Sequence, residues 1–208
     1  MWKTIINRVT LIIATVLSLA FTQVTAQDFS KGMEAYKAGD FATALKEFKP
    51  LAEQGNAEAQ NQLSFMYKEG KGVLKDATEA AKWRRLSAEQ GNAAGQYGLA
   101  VMYYEGEGVI QDYAETVKWL RLSAEQGGGF YSTLAQGFLG MLYRFAVGVP
   151  EDNLTAHMWY NIASANGSLT NAGDHRDELA ALMTASEITK ATAMAKECMN
   201  SNYKKCGY

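Results

Sequence analysis

The chain has 208 residues, 48% of them apolar, with 20 Lys and Arg against 22 Asp and Glu and a formal net charge of −2. That apolar share lies above the disordered range and is enough for a buried core. A slightly acidic chain whose charges are interspersed, with no basic block, lacks the electrostatic footprint of a nucleic-acid binder, and none is expected as a partner.

Residues 1–26 come first. Lys3 and Arg8 precede an apolar run from Val9 to Phe21, and the segment closes on Val24-Thr25-Ala26. Charged start, apolar centre and small-residue end, in that order, are the features of a cleavable signal peptide, with cleavage expected after Ala26. The apolar run is shorter than the roughly 20 residues that cross a bilayer, and no second such run follows. The expectation is an exported protein, periplasmic or secreted, with no membrane span in the mature chain. Without the segment, 18 Lys and Arg face 22 Asp and Glu, a net of −4.

Downstream, Val and Ile are sparse while Ala, Leu, Glu, Lys and Gln are common, which favours helices over strands. An opening helix pair is expected over 28–55, with Gly39-Asp40 joining a helix near 30–38 to one near 41–54. A repeat then dominates. Leu51-Ala-Glu-Gln-Gly55 returns as Ser87-Ala-Glu-Gln-Gly91 and Ser123-Ala-Glu-Gln-Gly127, at steps of 36 residues. Tyr67, Gly70, Gly72, Asp76 and Trp83 keep that step to Tyr103, Gly106, Gly108, Asp112 and Trp119. A third copy, with Tyr143, Gly148, Asp152 and Trp159, follows at 40 residues, the extra four falling in Gly127–Thr133. Repeats are therefore set at 56–91, 92–127 and 128–167, capping helices at 168–200, and a tail at 201–208.

Each repeat reads as two helices. Ala59, Leu63, Met66 and Tyr67 have the spacing of one helical face. Gly70 permits a left-handed helix end, and Asn56 and Asn92 can cap the helix that begins a repeat. Asp76-Ala-Thr-Glu79, Asp112-Tyr-Ala-Glu115 and Thr184-Ala-Ser-Glu187 resemble reciprocal capping boxes and mark further helix starts. In the third copy Ala146 replaces the first turn glycine, so a remodelled turn is expected there.

The pattern Ala59-x-x-x-Leu63-Ser-x-x-Tyr67-x-x-Gly70-x-Gly72-Val73-x-x-Asp76, with Ala80-x-x-Trp83 and Ala88-x-x-Gly91, resembles a Sel-1-like repeat, a relative of the tetratricopeptide repeat. The opening Ala35-Tyr36-x-x-Gly39-Asp40-Phe41-x-x-Ala44 is more similar to the shorter tetratricopeptide form. The resemblance covers about residues 30–200 and implies an all-α fold, a right-handed α/α superhelical solenoid of helix-turn-helix repeats over 27–200. It also implies a non-enzymatic, monomeric scaffold that binds an unknown protein or peptide in a bacterial cell envelope, without a cofactor.

Candidates for chemistry are few. His157 falls inside the Trp-bearing helix of the third repeat and reads as a packed residue. His175 reads as a polar surface position. Neither sits in a zinc-like spacing, and the carboxylates Glu105, Glu107, Asp174, Asp177 and Glu178 read as caps or solvated positions. No catalytic or metal residue is assigned. Cys198 and Cys206, the only cysteines, read as a disulfide tying the tail to the last helix, as expected for an exported chain. Cysteine-rich relatives use the same gap as a staple, and some have been linked to β-lactam binding and weak hydrolysis. That cell-wall reading is kept as an alternative, though a single cysteine pair departs from their repeat-by-repeat stapling. A secreted host-interaction factor is the other.

Binding positions follow from the helix face opposite the core. Across the three repeats they are Asn61, Phe65 and Lys68; Tyr97, Val101 and Tyr104; and Gly137, Met141 and Arg144. The resemblance places the first helices on a concave groove, where tetratricopeptide relatives bind peptides. Large amphipathic groups such as Phe65, Tyr97 and Tyr104 suit binding anchors, and packing against the adjacent repeat is the other use for them. Lys68 and Arg144 would give the groove a positive character suited to a carboxylate-bearing tail. Phe130 and Tyr131, on the lengthened Gly127–Thr133 loop, are a second candidate, with a flexible joint as the alternative.

Overall fold

The structure, a computed structural model, describes residues 29–168 and 171–206. The expected signal peptide lies outside them. Ten helices and no strand occur among the described residues. They are α1 (29–37), α2 (Phe41–Glu53), α3 (Ala57–Glu69), α4 (Ala77–Glu89), α5 (Ala93–Glu105), α6 (Tyr113–Ala124), α7 (Phe130–Arg144), α8 (Asn153–Ala165), α9 (Ala172–Ala180) and α10 (Ala185–Asn200). The chain divides into two compact units, one ending at Lys75 and one beginning at Asp76.

Local chemistry sets the helix ends. Asn56 and Asn92 accept the backbone N–H three residues on, at 2.8 Å in both cases. Asp76, Asp112 and Asp152 cap α4, α6 and α8 in the same way. The reciprocal half of the expected boxes forms only at Thr184, where the Glu187 carboxylate returns to the Thr184 N–H. At α4 and α6 the glutamate turns along its own helix, Glu79 to Lys82 and Glu115 to Lys118 and the Trp119 indole N–H. A lysine three residues on competes for the carboxylate and wins.

The turn after each first helix packs backbone against backbone. At Gly108, with φ +72°, a Cβ would fall 2.0 Å from the Ala77 carbonyl oxygen at the start of α4. Only glycine fits there. The third turn keeps this geometry despite Ala146, contrary to the remodelling expected. Ala146 adopts φ 56°, and the Val147 N–H reaches the Leu142 carbonyl at 3.0 Å, just as the Glu107 N–H reaches Met102.

Within the second unit each helix from α4 to α9 packs on the next, α5 also meets α7, and α10 lies on α8. Contact between α5 and α7, the first helices of successive repeats, is the mark of stacked helix pairs. Leu99, Leu120, Leu139, Leu142, Met158, Trp159 and Ile162 are fully buried there. At about 1.5–3 kcal/mol for each such side chain, this packing holds the repeats together. One buried glutamine per repeat satisfies the helix-end carbonyls of its predecessor. Gln96 donates to Ala88, and Gln136 donates to Ala124 and Gly127. Gln126 and Asn166 then donate to those glutamines in turn, at 2.7 and 3.0 Å. In the first unit α2 packs on α3, and Gln60 donates to Ala52 in the same manner.

A disulfide joins Cys198 in α10 to Cys206 in the tail. Both sulfurs belong to buried residues. The closed loop carries Tyr203 back to the third repeat, where its hydroxyl and the Asn166 side chain are 2.9 Å apart.

Candidate functional site

In the second unit, α7 presents Leu134, Gly137, Phe138, Met141 and Arg144 on one face, at spacings of three and four residues. Tyr97 of α5 stands across from them, and Tyr160 of α8 closes the base. His175 and Glu178 of α9 and Phe145 at the end of α7 complete the wall of a cleft of about 460 Å³. The lining is mainly aromatic and aliphatic with a polar end, the composition of ligand and peptide sites.

Glycine makes room for the base. A Cβ on Gly140 would sit 2.6 Å from the Tyr160 ring, so α8 approaches α7 closely only because none is there. Tyr160 is 2% exposed, and burial raises its phenol pKa, an effect the neighbouring Arg144 partly offsets. The Arg144 guanidinium donates, at 3.3 Å, to the Glu178 carboxylate, and its charge lies close enough to the Tyr160 hydroxyl to favour the phenolate. It also lies 5.2 Å over the Phe145 ring. His175 Nδ1 is 3.7 Å from the same carboxylate oxygen, and its ring centroid is 5.7 Å from that of Tyr160.

Of the residues singled out in the sequence, Tyr97, Gly137, Met141 and Arg144 come together here. Tyr104 does not join them; it packs between Phe138 and Tyr113, at ring distances of 5.1 and 5.6 Å. Val101 is half-buried on α5, outside the lining. Arg144 brings no free positive charge, because Glu178 neutralises it. Phe130 and Tyr131 are not on a loop: the insertion extends α7, and both fall in its first turn, 58% and 40% exposed. Two of the added residues, Phe130 and Tyr131, continue a helix that Gly129 opens, so the chain gains hydrogen bonds by coiling. Tyr131 then stacks on Tyr97 at 6.0 Å, which joins the two sequence candidates into one aromatic edge. Burial raises the Tyr97 phenol pKa as well.

Asn61, Phe65 and Lys68 belong to the first unit. Phe65 forms a box there with Tyr36 and Phe41, and the Lys71 amine lies 5.1–5.4 Å from all three ring centroids. That amine also donates to the Tyr36 hydroxyl at 2.9 Å. Asn61 and Lys68 are half-buried beside it on α3.

Sequence reading missed His175, Glu178 and Tyr160. His175 is exposed as expected, yet α9 turns it onto the cleft. Alternating polar residues in α9 carried no signal for that. His157 is buried, 2% exposed, with no hydrogen-bond partner at Nδ1. Ser201 and Lys204 have an S-x-x-K spacing, which in β-lactam-reactive enzymes supplies the nucleophile. Here the Ser201 hydroxyl donates to the Cys198 carbonyl and accepts from the Lys205 N–H, so it is committed to the tail turn. Among the described residues no three His, Cys, Asp or Glu side chains are grouped to hold a metal ion, and no helix is long and apolar enough to cross a membrane.

Stacked helix pairs of this kind, with an aromatic cleft on one face, define a helical-repeat fold. The Sel1 repeat pattern matches residues 57–92, 93–128 and 133–168, and the chain belongs to the Sel1 repeat family. Sel1 repeats generally mediate protein–protein interaction. The chain is similar to a Sel1 repeat protein from Oxalobacter formigenes, with 32% identity and a TM-score of 0.66 over 71% of this chain and 59% of that one. It shares its fold with a protective antigen of uropathogenic Escherichia coli displaying an SLR fold, at 24% identity and a TM-score of 0.58 over 86% of this chain. The match spans 47% of that antigen, so both solved relatives are considerably longer than the part this chain matches. No curated protein matches the chain.

Proposed function

We propose that this chain is an exported, non-catalytic repeat scaffold that binds a partner protein in the bacterial cell envelope, and that the cleft of the second unit is its binding site. The observation that carries the reading is the cleft itself: Tyr97, Phe138, Met141 and Phe145 surround a cavity large enough for an apolar side chain of a partner. Aromatic groups of this kind, partly buried and fixed by their neighbours, lose little entropy on binding and act as anchors. Support for export comes from the residue order of 1–26 and from the disulfide, which is retained in an oxidising compartment.

The test is capture of envelope proteins by the intact chain, compared with a Tyr97→Ala/Met141→Ala variant of unchanged helicity. A partner captured by the first and lost by the second is the expected result. A partner retained equally by both would remove the cleft from the reading. Tyr104 is unsuited to this test, because its packing role makes its truncation a stability change.

A further inference from the structure

The polar end of the cleft has an uneven distribution of exposed charge. Its cation, Arg144, has a side chain only 19% exposed, and it is engaged by Glu178, by Tyr160 and by the Phe145 ring. Its anion, Glu178, is 60% exposed, and both of its contacts fall on Oε2. Oε1 is therefore left to accept from a ligand. Asp174 stands four residues earlier on α9, on the same helical face, and is also exposed. An incoming carboxylate would have to displace Glu178 from Arg144 while facing two like charges. An incoming ammonium or guanidinium meets the open oxygen of Glu178, with Asp174 on the same helical face, and leaves the Arg144 pair in place.

Taking the cleft as the binding site proposed above, we infer that its occupant is a protein segment with an aromatic or aliphatic anchor side chain adjacent to a Lys or Arg, the anchor entering between Tyr97 and Met141 and the cation meeting Glu178. Complementary charge of this kind selects among partners and orients them more than it adds affinity. The carboxylate-bearing tail suggested by the sequence alone is the opposite assignment, and the pairing of Arg144 is what reverses it.

Random dodecapeptides displayed on phage, selected in parallel on the intact chain, on Met141→Trp and on Glu178→Gln, test the assignment. Met141→Trp fills the cleft, and helicity measured by circular dichroism confirms that each variant is folded. Peptides retained by the chain and lost on Met141→Trp are expected to place Lys or Arg beside an aromatic residue or Leu roughly fivefold above the library frequency. On Glu178→Gln, which frees Arg144, that bias should disappear or turn acidic. Cleft-dependent peptides with no charge preference, or with an acidic one on the unaltered chain, would overturn the charge assignment and leave the cleft as a site. Identical pools on the chain and on Met141→Trp would overturn both.

Discussion

Ala146 holds a conformation that its equivalents, Gly70 and Gly106, adopt without strain: φ is 56° against 68° and 71°. An L-residue there costs about 1–2 kcal/mol. Replacing Ala146 by Gly is expected to raise stability by about 1 kcal/mol, the strain relief being reduced by the extra freedom of glycine in the unfolded chain. Urea unfolding followed by tryptophan fluorescence measures it, and a midpoint that falls would mean the turn is not strained. His157 is a second residue whose surroundings determine its behaviour. Burial, together with the nearby Arg176 charge, lowers its pKa below the usual 6.5, with Asp177 acting weakly the other way. The unfolded chain therefore takes up a proton that the folded chain refuses, and stability present above about pH 6.5 is lost as pH falls below it. The midpoint should drop between pH 7.5 and 5.5, and less so in His157→Val, which carries the residue found at the equivalent Val117. Equal drops in both would place the acid sensitivity elsewhere.

At the scale of elements, α10 and its tail form one device. The disulfide closes a loop of sequence separation 8 and brings Tyr203 to Asn166, which itself donates to Gln136. Without the bond, the unfolded chain regains loop entropy worth about 2–3 kcal/mol. Cys198→Ser/Cys206→Ser should lose that much stability by chemical denaturation. Hydrogen exchange should speed up at the tail before it does so in α5. The third repeat shows the same interplay of local and distant effects. Its added residues gave no helical period to read, being Gly-rich, yet packing against α5 makes the last two of them, Phe130 and Tyr131, the first turn of α7.

Considered as a whole chain, the export reading makes a direct prediction. Protein recovered from the envelope fraction of expressing cells should begin at Gln27 by intact-mass measurement. A chain still carrying Met1 would contradict cleavage after Ala26. The repeat, the helix pairs, the N-capping side chains and the glycine turns were legible in the 208 residues, because they depend on interactions within a few positions: a side chain on an N–H three residues away, a left-handed glycine, an apolar stripe on one face. The reciprocal boxes at Asp76 and Asp112 and the turn at Ala146 were the exceptions. Even the stripe that supplies Tyr97, Met141 and Arg144 could be counted off a single helix. The cleft could not be. Tyr160, His175 and Glu178 reach it from α8 and α9, and their arrival depends on how closely α8 can approach Gly140 and how α9 lies on α8. The sign of the charge it presents was decided at the same level. Arg144 read alone is a cation, and only the tertiary fold, by setting Glu178 against it, leaves a carboxylate as the more exposed charge at that end of the cleft.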